Sequence, residues 1–214
     1  MGNLFSVNSP CWRFVNTLLD LFWLNLLWVL CCLPLVTAGA ATTALYTVIL
    51  KYARGQEGYL TREYFRAFRE NILPSTLVWL LLTGIGLFLW ADLIIYLRAG
   101  TMGLWKTALL TVFFAGLLLY VFTSLYVYAY MAFFQNTVKN YLKNALILAI
   151  WHWPSSILMV VLGAAILTIG FLVFPPLLFI GFPLFCLINA RTFHRIFAGL
   201  AESSAELSAK SSSS

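Results

Sequence analysis

From Ser75 to Leu97 the chain reads STLVWLLLTGIGLFLWADLIIYL, 23 residues whose one charge is Asp92. Coiled as an α-helix at about 1.5 Å per residue, this run is long enough to cross a hydrocarbon layer about 30 Å thick. Working outward, comparable apolar runs occupy residues 14–36, 104–134 and 145–190, with a shorter one at 38–53. Charged residues make up 9% of the 214 residues and hydrophobic ones 62%, so the charges lie as islands between spans rather than covering a soluble surface.

Local punctuation divides the runs. Ser9 as cap and Pro10 at the first helical position open a helix that extends to about Leu33. Pro34 and Gly39 bracket a tight turn, and a short second helix follows over Ala38–Ala53. Its small residues, Ala38 to Ala44, allow close backbone approach, the means by which helices associate in lipid. The stretch 145–190 exceeds one span and breaks at Pro175-Pro176. The expectation is an all-α, polytopic membrane helical bundle of about six transmembrane helices, with one domain over 1–200 and a disordered Ser-rich tail over 201–214.

Of the 13 basic residues, 11 fall on one side of this map (Arg13, Lys51, Arg54, Arg62, Arg66, Arg69, Lys139, Lys143, Arg191, Arg195, Lys210) and two, Arg98 and Lys106, on the other. The positive-inside rule then places both termini in the cytoplasm, with short outer loops near 34–38, 98–104 and 174–176. The protein is read as a multi-pass component of the cell membrane. Its formal charge of +6 is a topology determinant, and no soluble domain is left to bind nucleic acid. Ala38-Gly39-Ala40 follows too long an apolar run for a cleaved signal, and Met1-Gly2 with Ser6 adds little to a protein already anchored by its spans.

No catalytic, cofactor or metal site emerges. Cys31, Cys32 and Cys186 lie in apolar spans without metal-ligand spacing. His152 stands between Trp151 and Trp153 as an interfacial ring, His194 lies near the inner end of the last helix, and neither has a nucleophile at recognisable spacing. Gly100 to Thr107 lacks the phosphate-loop spacing and follows no strand. A non-enzymatic role is expected.

Two cytoplasmic segments stand out. In Leu60–Leu73 a helical projection puts Leu60, Tyr64, Phe65, Phe68 and Ile72 on one face and Arg62, Arg66 and Arg69 on the other, the pattern of an interfacial amphipathic helix. That basic face suits lipid headgroups or a docking partner. Thr137–Ile150, with Lys139, Asn140, Lys143 and Asn144, is a second such helix. Pro74-Ser75-Thr76 follows the first and Pro154-Ser155-Ser156 the second, which reads as an internal repeat in a single orientation.

Within the spans the polar exceptions are Asn16, Asp20 and Asn25 in the first helix and Asn189 and Arg191 in the last. An intramembrane ionisable group calls for a partner or a function. Asp20 is expected to pair with Asn189 or Arg191; the alternative makes Asn16, Asp20 and Asn25 a polar path for a solute.

The residues Asp20-Leu21-Phe22-Trp23-Leu24-Asn25-Leu26-Leu27-Trp28, Cys31-Cys32-Leu33-Pro34 and Thr37-Ala38-Gly39-Ala40-Ala41-Thr42-Thr43-Ala44-Leu45-Tyr46 resemble the N-terminal pattern of the bacterial YesL family. Those are small integral membrane proteins of Gram-positive bacteria, often encoded beside carbohydrate-uptake ABC transporters and glycan-degrading enzymes. The resemblance implies association with sugar import and supplies no catalytic residue. Phe68 to Leu73-Pro74 is also similar to the Phe-x-x-x-x-Leu-Pro ending of an ABC permease coupling helix, although Thr61 stands where that motif has glycine. The expected function is an accessory subunit of a carbohydrate ABC importer, docking on permease or ATPase subunits through Arg62, Arg66, Phe68, Arg69 and Pro74 and embedded in the lipid bilayer. A small autonomous transporter or channel, or a membrane sensor or regulator, is the alternative.

Overall fold

The prolines partition the chain largely as read. In the computed structural model, which describes residues 10–56, 58–98 and 104–212, Pro10 is the first residue of α1 (Pro10–Cys32). Pro34 precedes a 3-10 turn at Leu35–Thr37, and the Thr37 hydroxyl donates to the Cys31 carbonyl at 2.6 Å, satisfying an acceptor that the end of α1 leaves open. Then come α2 (Ala38–Tyr52), α3 (Leu60–Arg98), α4 (Leu104–Phe133), α5 (Val138–Trp151), α6 (Trp153–Leu172), a 3-10 turn at Pro175–Leu177, and α7 (Leu178–Ser212). The Ser-rich segment 201–212 continues the last helix. Every described helix but α5 contributes one segment long and apolar enough to cross a membrane, six in all. Large apolar side chains such as Leu19, Leu87, Phe88, Phe171 and Leu172 point outward, an arrangement suited to acyl chains and not to water. The protein is an all-α, multi-pass membrane bundle.

α2 lies at the centre. Its buried residues begin with the small Gly39, Ala40, Ala41, Thr43 and Ala44 and continue through Leu45, Tyr46, Val48, Ile49 and Leu50. The absence of a side chain at Gly39 lets the backbone of α3 at Ser75 come against it. Lipid supplies no hydrophobic force between helices, so this close approach, with the hydrogen bonds it permits, holds the pair. Ser75 Oγ donates to Thr43 Oγ1 at 2.9 Å, Tyr64 Oη donates to the Ala41 carbonyl at 3.3 Å, and Lys51 Nζ meets Glu63 Oε2 at 3.1 Å.

One element departs from expectation. The amphipathic segment 60–73 is not a separate surface helix: it is the first part of α3, a continuous helix of 39 residues with Pro74 inside. Proline removes one hydrogen bond to the carbonyl four residues back; here packing along α2 outweighs that loss. The second segment does form a helix of its own, α5, because the chain leaves helical geometry at His152 (φ −107°, ψ 41°) before α6.

The geometry nevertheless repeats. Ser75, one residue after Pro74, and Ser156, two after Pro154, are each wholly buried and each contact a hydroxyl on the preceding span. Ser75 meets Thr43 of α2, and Ser156 Oγ lies 3.3 Å from Tyr126 Oη of α4. Tyr64 and Tyr141 are likewise buried near the starts of α3 and α5. The unit α2 with both parts of α3 is thus matched by α4, α5 and α6.

Candidate functional site

The first turns of α3 carry the most distinctive outward surface. Tyr64, Ala67 and Ser75 are buried on the side facing α2, and Trp23 of α1 donates from Nε1 to Thr61 Oγ1 at 2.8 Å. With that side held, Arg62, Arg66 and Arg69 are turned outward, four and three residues apart, on one stripe. A groove of about 670 Å³ runs along them, lined also by Tyr59, Phe65 and Glu70. The ion pairs among the described residues are Lys51–Glu63 and an exposed Arg66–Glu70 contact at 3.8 Å. The second of these contributes about 0.3–0.5 kcal/mol, and the groove sets three arginines against Glu63 and Glu70, leaving a modest positive excess.

Two of the expected docking residues sit elsewhere. Phe68 packs partly buried against the core, because helical phase puts it nearer Tyr64 than the arginines, while Phe65 takes its place in the groove. Pro74 is half-buried within the continuous helix and does not line that groove.

The polar residues of the spans are not brought together. Asn16 is exposed. Asp20 accepts from Tyr52 Oη of α2 at 3.3 Å, with Thr17 Oγ1 3.0 Å from the same hydroxyl. The expected pairing of Asp20 with α7 is therefore replaced by one with α2. Asn189, buried, turns back onto its own helix and donates to the Phe185 carbonyl at 2.9 Å. Arg191 is exposed. Accordingly, Tyr52→Phe should cost about 1 kcal/mol by removing the donor to Asp20. Arg191→Leu should stay within about 0.5 kcal/mol of wild type, as surface changes do. Thermal unfolding of both variants in one detergent checks the pair.

Asn25 is 7% exposed, and its Oδ1 has no hydrogen-bond partner. It borders an otherwise apolar cavity of about 400 Å³ between α1, α6 and α7, lined by Trp28, Gly163, Gly181 and Phe182 among others. Trp151 and Trp153 are exposed on either side of His152. Among the described residues no three His, Cys, Asp or Glu side chains are grouped to hold a metal ion.

A further cavity, of about 430 Å³, lies between the end of α2 and α7 and is bordered by Leu50, Ala53, Arg54, Arg191, His194 and Arg195. Sequence reasoning placed these basic residues on one side of the membrane but not in one cavity. More than 130 positions separate Arg54 from Arg191, and no local pattern relates them.

Comparison with known proteins bears on this architecture. Residues 21–93 match the family described as "Protein of unknown function, DUF624". Over 163 residues the chain is 29% identical to the uncharacterized protein YesL of Bacillus subtilis (strain 168), covering 74% of this chain and 75% of that relative. No solved structure matches.

Proposed function

We propose, from the premise that this chain belongs to the YesL family of membrane proteins, that it acts without chemistry of its own as an accessory subunit in carbohydrate import. Both termini lie in the cytoplasm of this reading, the bundle sits in the cell membrane, and the α3 stripe meets a permease or ATPase subunit of an ABC importer. The observation that carries the proposal is the orientation of α3. An amphipathic helix that only adheres to lipid inserts its apolar face among acyl chains. Here the face bearing Tyr64 and Ala67 is buried in the bundle, so Arg62, Arg66 and Arg69 are presented outward with a groove beside them.

The test is Arg62→Gln, Arg66→Gln and Arg69→Gln together in the host membrane. Insertion should be unchanged, because the apolar spans set it, while permease and ATPase subunits should drop out of the purified complex. Retention of every partner, with sugar uptake unaffected, would reduce the stripe to a headgroup contact. Each arginine would then contribute about 1 kcal/mol, screened by salt.

A further inference from the structure

We propose that the cavity between the end of α2 and α7, bordered by Arg54, Arg191, His194 and Arg195, binds a phosphate-bearing anion. The argument starts from spacing. Arg191, His194 and Arg195 stand three and four residues apart and share one face of α7. Arg54 follows the last turn of α2, and its guanidinium lies 4.8 Å from the centre of the Phe133 ring, a cation–π contact that restricts where the group can go. Leu50 and Ala190, both buried, form the floor, and the short side chains of Ala53 and Ala190 leave the space open.

Three arginines therefore border one cavity, and neither ion pair among the described residues involves any of them. The positive-inside rule counts charges on a side of the membrane and does not ask them to line one cavity. Gathering like charges around one cavity is unfavourable unless a counter-charge joins them. A phosphate group supplies up to two negative charges and several acceptor oxygens, and the planar fork of Arg donates to it in pairs where Lys is a point charge. A volume of about 430 Å³ admits the phosphate together with part of the molecule that bears it. That phosphate comes either from an anionic phospholipid headgroup or from a soluble phosphorylated compound, and the chemistry at the arginines is the same. The site is separate from the α3 stripe, so it stands or falls independently of the docking proposal.

The experiment uses the full chain purified in a neutral detergent. One arm titrates phosphatidylglycerol against phosphatidylcholine by native mass spectrometry; the other follows the thermal midpoint with inorganic phosphate at constant ionic strength. Wild type should bind phosphatidylglycerol in preference to phosphatidylcholine, or be stabilised by phosphate. The first result identifies a headgroup and the second a soluble ligand. The combined variant Arg54→Gln, Arg191→Gln, Arg195→Gln should weaken that binding by about tenfold or more, whereas Arg62→Gln, Arg66→Gln, Arg69→Gln should leave it unchanged. If the cavity variant does not fold, Arg195→Gln alone is read, with a loss of about fivefold expected. Absence of binding in both arms, or an equal loss in the cavity and stripe variants, would overturn the proposal.

Discussion

Replacing Gly39 by Ala should prevent α2 and α3 from seating against each other, with a lowered yield of folded protein and a thermal midpoint in detergent about 5–10 °C below wild type. A Cβ on Gly39 would lie 2.5 Å from the carbonyl oxygen of Ser75 and 2.7 Å from Cβ of Trp79. The first of these atoms is backbone in mid-helix and has no rotamer to escape into. The helices must separate, and forced overpacking of this kind costs about 1–3 kcal/mol. Separation also breaks the buried Ser75–Thr43 hydrogen bond, leaving the Ser75 hydroxyl without its acceptor at about 1–3 kcal/mol more, while Thr43 keeps its own bond to the Gly39 carbonyl. Gly84→Ala is the matched control, since nothing lies within 4 Å of the added methyl, and it should unfold at or slightly above the wild-type temperature. Equal midpoints for the two variants would show that α2 is not packed on α3 at Gly39.

The second large effect is expected at Phe193. Its ring is wholly buried and joins three helices, meeting Tyr46 of α2 edge-on at 5.8 Å, Tyr126 of α4 edge-on at 5.7 Å, and Phe197 of α7 in a stacked contact at 5.7 Å. In water-soluble proteins Phe→Ala in a core costs about 3–5 kcal/mol, part of which is transfer out of water and part the cavity left behind. In a bilayer the alternative surroundings are also apolar, so the lost packing contacts dominate. Phe193→Ala is expected to destabilise by about 2–3 kcal/mol on that ground. Phe193→Leu should recover part of the loss, and Phe171→Ala, at a ring 77% exposed on α6, should cost little. Comparable midpoints for Phe193→Ala and Phe171→Ala would place Phe193 outside the packing core.

The spans were legible because each is a local property. A run such as 75–97 is apolar along its own length, and Pro10, Pro34 and Pro175-Pro176 mark the starts and turns by what proline does to its own backbone. Helical projection likewise separated the arginines of α3 from Tyr64. The same projection put Phe68 with Tyr64, on the side that packs against the core; it was the likeness to a coupling-helix ending that assigned Phe68 to docking. The reading of 60–73 as an independent helix failed because phase alone does not say whether packing overrides a proline. The repeat was visible as two Pro-Ser pairs, while the hydroxyls that Ser75 and Ser156 reach were not.

What the sequence determined by itself is therefore the class of the protein and the number of its spans, both of which follow from the partition of segments between water and lipid. Tertiary structure alone decided that Asp20 meets Tyr52 instead of α7, that α3 rests on Gly39, and that Arg54 joins Arg191 and Arg195 around one cavity. The physical reason is that rotation and neighbour choice of a helix in lipid depend on close packing and hydrogen bonds between distant residues. Hydropathy, which is similar around most of each span, does not discriminate among those arrangements.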